Sequence, residues 1–187
     1  MEEVFAMEVS TISIEKAIEM ALEQGFDTAA SIDPSKLWFR QEVRDMCAEC
    51  RSYNTRWTCP PACGTLEEAT ARVIPYSRGI LVQTICRMEN EFDYEAWGST
   101  SRKHGDNFLV LTQKLDEMGI DIMALGAGGC RRCDSCTYPD EPCRFPDLAR
   151  PSMEACGLMV GDVCKDNGIT YYYGRNTVAY NCCILFK

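Results

Sequence analysis

A chain of 187 residues can bury its own core without cross-links, and 46% hydrophobic against 25% charged residues is the composition of a globular protein and argues against a disordered one. The net charge of −9, from 28 acidic against 19 basic residues, argues against non-specific nucleic-acid or anionic-membrane binding, which needs basic patches to hold phosphates. No apolar run approaches the roughly 18 residues of a membrane-spanning helix. Met1-Glu2-Glu3-Val4-Phe5 opens without a basic segment leading into an apolar core, so a cytoplasmic chain with reduced thiols is expected.

In chain order, Ile14, Ala17, Ile18, Ala21 and Leu22 recur at helical spacing, with Ser13 placed to cap and Gly25 to terminate. Asp33-Pro34-Ser35 marks a turn. Thr65-Leu66-Glu67-Glu68 is a capping box opening a helix that ends before Pro75. Gly79 to Cys86 reads as a buried strand. Phe108, Leu111, Leu115 and Met118 form one helical face stopped by Gly119, and Asp121 to Leu125 is another short strand. Strand, helix and strand in that order predict a crossover with parallel pairing. Ile169 to Tyr173 and Thr177 to Phe186, around Gly174-Arg175-Asn176, read as a closing hairpin. The expected fold is an α/β single-domain sandwich with a mixed sheet, a βαβ crossover and cysteine-rich metal-binding loops at one end. Residues 1–36 read as an N-terminal helical extension and 37–187 as the cysteine-rich metal-binding domain.

Thirteen cysteines are the compositional outlier. In a reducing compartment, closely spaced thiols read as metal ligands or redox groups rather than disulfides. Cys47, Cys50, Cys59 and Cys63 have the spacing C-x2-C-x8-C-x3-C. A two-residue gap lets both sulfurs of one turn face one metal, and Pro60 and Pro61 restrict the loop behind Cys59. Trp57 is read first as core packing and second as a shield against water.

Cys130, Cys133, Cys136 and Cys143 have the spacing C-x2-C-x2-C-x6-C. Three cysteines at successive two-residue gaps with a remote fourth beside Pro142 resemble the bacterial ferredoxin run, which favours an iron–sulfur cluster over zinc. Gly126-Ala127-Gly128-Gly129 precedes the quartet and offers N–H donors to a negative cluster. The final gap is longer than in ferredoxins, and Cys63 and Cys143 are the ligands most open to exchange between clusters. Arg131, Arg132 and Arg144 lie among these ligands, as cluster-neutralising charges, an anion site or solvated surface.

Five further cysteines, Cys86, Cys156, Cys164, Cys182 and Cys183, read mainly as small buried side chains. Adjacent strand residues face opposite ways, so Cys182 and Cys183 do not reach one site. His104 is the single histidine, in a polar stretch, and reads as a surface residue. With one histidine, no nucleophile elbow and no phosphate-binding glycine loop, no hydrolytic machinery is recognisable.

Taken together, Cys47-x2-Cys50, Trp57-x-Cys59-Pro60-Pro61, Cys130-x2-Cys133-x2-Cys136, Pro142-Cys143-Arg144 and Pro151-Ser152-Met153-Glu154-Ala155-Cys156-Gly157 resemble a prokaryotic family. It is the domain-of-unknown-function family described as predicted metal-binding protein and common in anaerobes. The resemblance spans the chain from about the first quartet to the C-terminus. It implies a cysteine-bound metal site and assigns no reaction.

The leading functional expectation is an iron–sulfur protein carrying two [4Fe–4S] clusters, in electron transfer to or from a larger redox enzyme that serves as its partner protein. A second is an enzyme with one site-differentiated cluster that binds substrate or sulfide. A third is a zinc-stabilised interaction module.

Overall fold

The computed structural model describes residues 10–187, so the reading of Met1 to Phe5 lies outside the described residues. In chain order the elements are α1 (Ile14–Glu23), β1 (Thr28–Ile32), α2 (Gln41–Met46), α3 (Leu66–Val73), β2 (Arg78–Arg87), α4 (Tyr94–Glu117), β3 (Ile122–Leu125), α5 (Val160–Asp166) and β4 (Thr177–Phe186). Short 3₁₀ turns cover Pro34–Lys36, Cys47–Glu49, Pro146–Leu148 and Glu154–Cys156.

The local chemistry that sets the helix starts is in place. Ser13 Oγ accepts from the Lys16 N–H at 3.1 Å, and Thr65 with Glu68 closes the reciprocal capping box of α3. Gly25 and Gly119 follow α1 and α4 with φ of +96° and +72°, a region that side chains with a Cβ disfavour.

One four-stranded sheet in the order β1-β2-β4-β3 organises the chain. Its pairs are antiparallel throughout, with Val82 opposite Cys182 and Leu81 opposite Cys183 at the centre, which corrects the expected mixed sheet. The strand–helix–strand connection is present, but β4 lies between β2 and β3, so these two run in the same direction without pairing. The reason is in β4 itself. Asn181 to Phe186 are buried without a break, a pattern that demands cover on both faces and a neighbour at both edges. With both edges taken, residues 169–173 cannot pair as the expected hairpin. They run without a strand and are tied to β2 by a buried glutamine: Gln83 Nε2 donates to Thr170 O at 2.9 Å and Tyr173 donates its hydroxyl proton to Gln83 Oε1 at 2.8 Å.

Alternation along the strands divides the core in two. Ile80, Val82, Cys182 and Ile184 pack against Ala17 and Ala21 of α1 and Phe108, Leu111 and Leu115 of α4. Leu81, Cys183 and Leu185 face the other way, onto Ala69 and Val73 of α3, Val163 of α5, and Met153, Cys156 and Leu158. Each of the larger aliphatic or aromatic side chains among them is worth about 1.5–3 kcal/mol when removed from water. Cys182 and Cys183 therefore serve opposite layers, as strand geometry requires.

Helix α4 is twice the length of its legible apolar face, because Gly98, Ser99, Thr100, Ser101 and Gly105 hide its first half. That half carries His104, which is buried rather than at the surface: it is 1% exposed, with Nδ1 2.8 Å from Thr84 Oγ1 and Nε2 3.0 Å from Cys182 Sγ. The ring of Phe26 meets it edge-on at 5.3 Å. Burial lowers its pKa to about 4, against a weaker upward pull from Asp27. Unfolded histidine titrates near 6.5, so between about pH 6.5 and 4 the unfolded chain takes up a proton that the folded chain refuses. Stability falls as pH drops through that window, by about 3 kcal/mol in all. His104→Gln is expected to flatten the pH dependence of urea unfolding between pH 4 and 7, whatever its effect at neutral pH. An unchanged slope would mean that the ring already protonates in the folded state.

Candidate metal centre

Helix α2 ends at Met46 and delivers Cys47 into a 3₁₀ turn, where the Cys50 N–H donates to Cys47 O at 3.0 Å. The chain then loops out and returns, with the Asn54 N–H donating to Pro60 O at 2.8 Å and the Cys63 N–H to Cys59 O at 3.1 Å. Charge on one thiol is felt by the next around the set: Cys50 and Cys63 raise the pKa of Cys47, and Cys63 and Cys50 raise that of Cys59. Burial is the largest upward cause for Cys47, Cys59 and Cys63. Against it stand guanidinium groups: Arg44 beside Cys47 and Cys63, Arg72 beside Cys63, and Arg56 beside Cys59. Arg44 Nη2 donates to Gly64 O at 2.7 Å and Arg72 Nη2 to Cys63 O at 3.0 Å, which fixes both around the loop.

Cys130, Cys133, Cys136 and Cys143 line one small, largely enclosed cavity together with Arg56, Thr58 and Phe145. No cysteine of the first quartet lines it. Burial pushes the Cys136 thiol up, but the N–H groups of Tyr138, Trp57 and Thr137 and the charge of Arg56 outweigh it, and its pKa is lowered. Trp57 belongs to neither core cluster, which corrects its reading as core packing. It lines the same cavity, donates from Nε1 to Glu141 O at 3.1 Å and meets Tyr138 edge-on at 4.9 Å. Arg144 Nη1 holds Ser135 O at 3.0 Å and so braces the loop itself.

The two cysteine loops pack on each other. The Cys130 N–H donates to Thr58 Oγ1 at 3.3 Å, Arg56 Nη1 donates to Cys130 O at 2.7 Å, and the Tyr138 hydroxyl donates to Asn54 Oδ1 at 2.8 Å. Thr58 thus touches the second quartet while preceding Cys59 of the first.

Two quartets of thiols beside cationic side chains suit an anionic thiolate-bound centre. Among the described residues, Arg44 Nη1 and Arg56 Nε are buried with no hydrogen-bond partner, and each belongs to an arginine whose charge reaches the sulfurs. Buried donors of this kind are expensive unless an anion meets them. Among the described residues, no three cysteine, histidine, aspartate or glutamate side chains close on one point as a single metal ion requires. A tetrahedral zinc with bonds of about 2.3 Å draws its four sulfurs to about 3.8 Å of one another. Thiolates that each bind a different iron of a cluster stand further apart, and a cysteine-rich donor set suits a metal of either kind.

Arg44, Arg56, Arg72 and Thr58 were not legible as site residues. Arg44 alone left a trace, three positions before Cys47 on a helix. None of the remaining cysteines lines the cavity of the second quartet. Cys86 is buried in β2, Cys164 has its pKa raised to about 11 by burial, and burial likewise pushes the Cys156 thiol to about 12, although Cys156 is near enough to sense Cys63.

Among the described residues no helix is long and apolar enough to cross a membrane. No curated protein and no solved structure matches the chain. The domain-of-unknown-function family described as predicted metal-binding protein (DUF2284) matches residues 30–186, which contain both quartets and every element from β2 to β4. The chain belongs to this family of predicted metal-binding proteins.

Proposed function

We propose that this protein holds two [4Fe–4S] clusters, one on Cys47, Cys50, Cys59 and Cys63 and one on Cys130, Cys133, Cys136 and Cys143, and moves electrons to or from a larger redox enzyme. The observation that carries this reading is the pairing of two separate thiol quartets through Thr58 and Arg56, with unpartnered guanidinium nitrogens buried beside them. When bound, such clusters supply one-electron couples.

The chain's own residues do the rest. Arg44 and Arg72 set positive charge beside the first quartet, and Arg56 sets it between the two, which favours the more reduced state of each. Trp57 lines the cavity of the second quartet, where its ring limits the approach of water, and Tyr138 braces that ring edge-on. The hydrogen bond from the Cys130 N–H to Thr58 gives a short covalent and hydrogen-bonded route from Cys59 to Cys130. The acidic surface suits a basic partner, with an association rate that falls as salt rises.

Potentiometric titration of anaerobically reconstituted protein, followed by electron paramagnetic resonance, is expected to show two reversible one-electron couples. Failure to reduce at any accessible potential would contradict the electron-transfer reading.

A further inference from the structure

In a protein of net charge −9, one cavity is basic. It has a volume of about 250 Å³ and lies between the middle of α4 and the turn Gly126 to Gly129. Arg102, Arg131, Arg132 and Arg150 line it, against the single carboxylate of Asp106. Asp106 does little to neutralise them. It is 74% exposed and sits 3.9 Å from Arg132, beyond hydrogen-bond reach.

The other arginines are incompletely paired. Arg131 Nη2 donates to the neutral Ser101 hydroxyl at 3.0 Å. Arg150 Nη2 meets Asp116 at 2.7 Å, but its Nε is buried with no partner. Among the described residues Arg102 pairs with no carboxylate. Four guanidinium groups lining one cavity repel one another, and an anion between them relieves that repulsion.

The inner wall adds neutral polar groups. His104 and Cys182 form it, hydrogen-bonded to each other, and the Ala127 N–H points at the Cys182 sulfur. Cys130 of the second quartet lines the same cavity, so its contents would sit against a metal ligand. The volume lies just below the usual range for small-molecule sites, which selects a compact ligand.

We propose that this cavity is a binding site for a small oxyanion, a compact carboxylate or phosphoryl compound, held by Arg102, Arg131, Arg132 and Arg150 beside the second cysteine quartet. Arginine presents its N–H groups as a planar fork that matches both oxyanions in two-point contact. The site goes beyond electron transfer, since a pure carrier has no use for a second occupant. It rests on the arginines and not on the identity of the metal.

The test is isothermal titration calorimetry on the full chain, purified without oxygen, with inorganic phosphate and with malonate, each against chloride at equal ionic strength. One of the two is expected to saturate with one-to-one stoichiometry while chloride does not, and the tighter one identifies the oxyanion. Arg150→Gln and, separately, the exposed Arg102→Gln are each expected to weaken that binding about tenfold, the loss of one charge-assisted contact. Arg175→Gln, on an exposed turn elsewhere, is expected to leave it unchanged. Iron and sulfide content measured on the same samples stays constant, so a lost anion site is read separately from a lost cluster. Equal affinity for chloride, or wild-type affinity in both Arg102→Gln and Arg150→Gln, would overturn the proposal.

Discussion

Replacing Cys133 by serine is expected to remove half of the iron and sulfide, from about eight of each to about four, while the fold survives. The asymmetry follows from where the second quartet sits. From Gly126 to Pro151 no residue is buried, and the only regular structure is the 3₁₀ turn Pro146–Leu148. Connections this long with no core of their own are uncommon in compact domains. Such a segment holds its shape through hydrogen bonds and whatever its cysteines bind, so metal binding supplies its ordering energy. The buried members of both core clusters lie outside it, and unfolding of the sheet should change by no more than about 0.5 kcal/mol. Limited proteolysis of Cys133→Ser should therefore cut within 131–149, with the far-ultraviolet circular dichroism unchanged. Full iron content with a protected loop would show that Cys133 binds no metal.

Arg56→Leu is expected to shift potentials rather than stoichiometry. Its charge reaches Cys59 of one quartet and Cys136 of the other, and Nη1 holds Cys130 O at 2.7 Å. A unit charge several ångströms away at an effective dielectric constant of about 20 is worth about 1–3 kcal/mol. For one electron that corresponds to roughly 40–130 mV. Removing positive charge disfavours the reduced state, so the potential of at least one couple should become more negative by that amount. Arg56→Lys keeps the charge without the guanidinium fork, and it should recover most of the shift but not the contact with Cys130 O. Unchanged potentials with intact iron in Arg56→Leu would remove this residue from the account.

How much of this was legible depended on how local the information was. The Ser13 cap, the Thr65 capping box, the strand cores around Val82 and Ala124, and the division of Cys182 from Cys183 all follow from side-chain chemistry within a few residues. The sheet order did not. Nothing within β2, α4 and β3 says that a strand more than fifty residues later will slip between the two strands, and the parallel reading failed there. The unbroken apolar run Cys182 to Phe186 was the available clue to a central strand. His104 misled because its neighbours Arg102 and Lys103 are exposed, while helical geometry turns the fourth residue of that stretch inward onto Cys182.

The cysteine quartets were readable as spacings, because two-residue gaps are a property of a single turn. Their convergence is a property of distant segments. The contacts from Thr58 and Arg56 to Cys130 join residues more than seventy positions apart, and neither residue type announces such a role. The same holds for the basic cavity. Arg131 and Arg132 stood out beside the ligands, but Arg102 and Arg150 reach it only through the packing of α4 against the second loop.

The central claim is that two thiolate quartets each hold an iron–sulfur cluster. Metal and acid-labile sulfide analysis of protein purified without oxygen, together with its visible spectrum, tests it most directly. The account predicts about eight irons and eight sulfides per chain with broad thiolate-to-iron absorption. About one or two zincs, no sulfide and a colourless solution would contradict it.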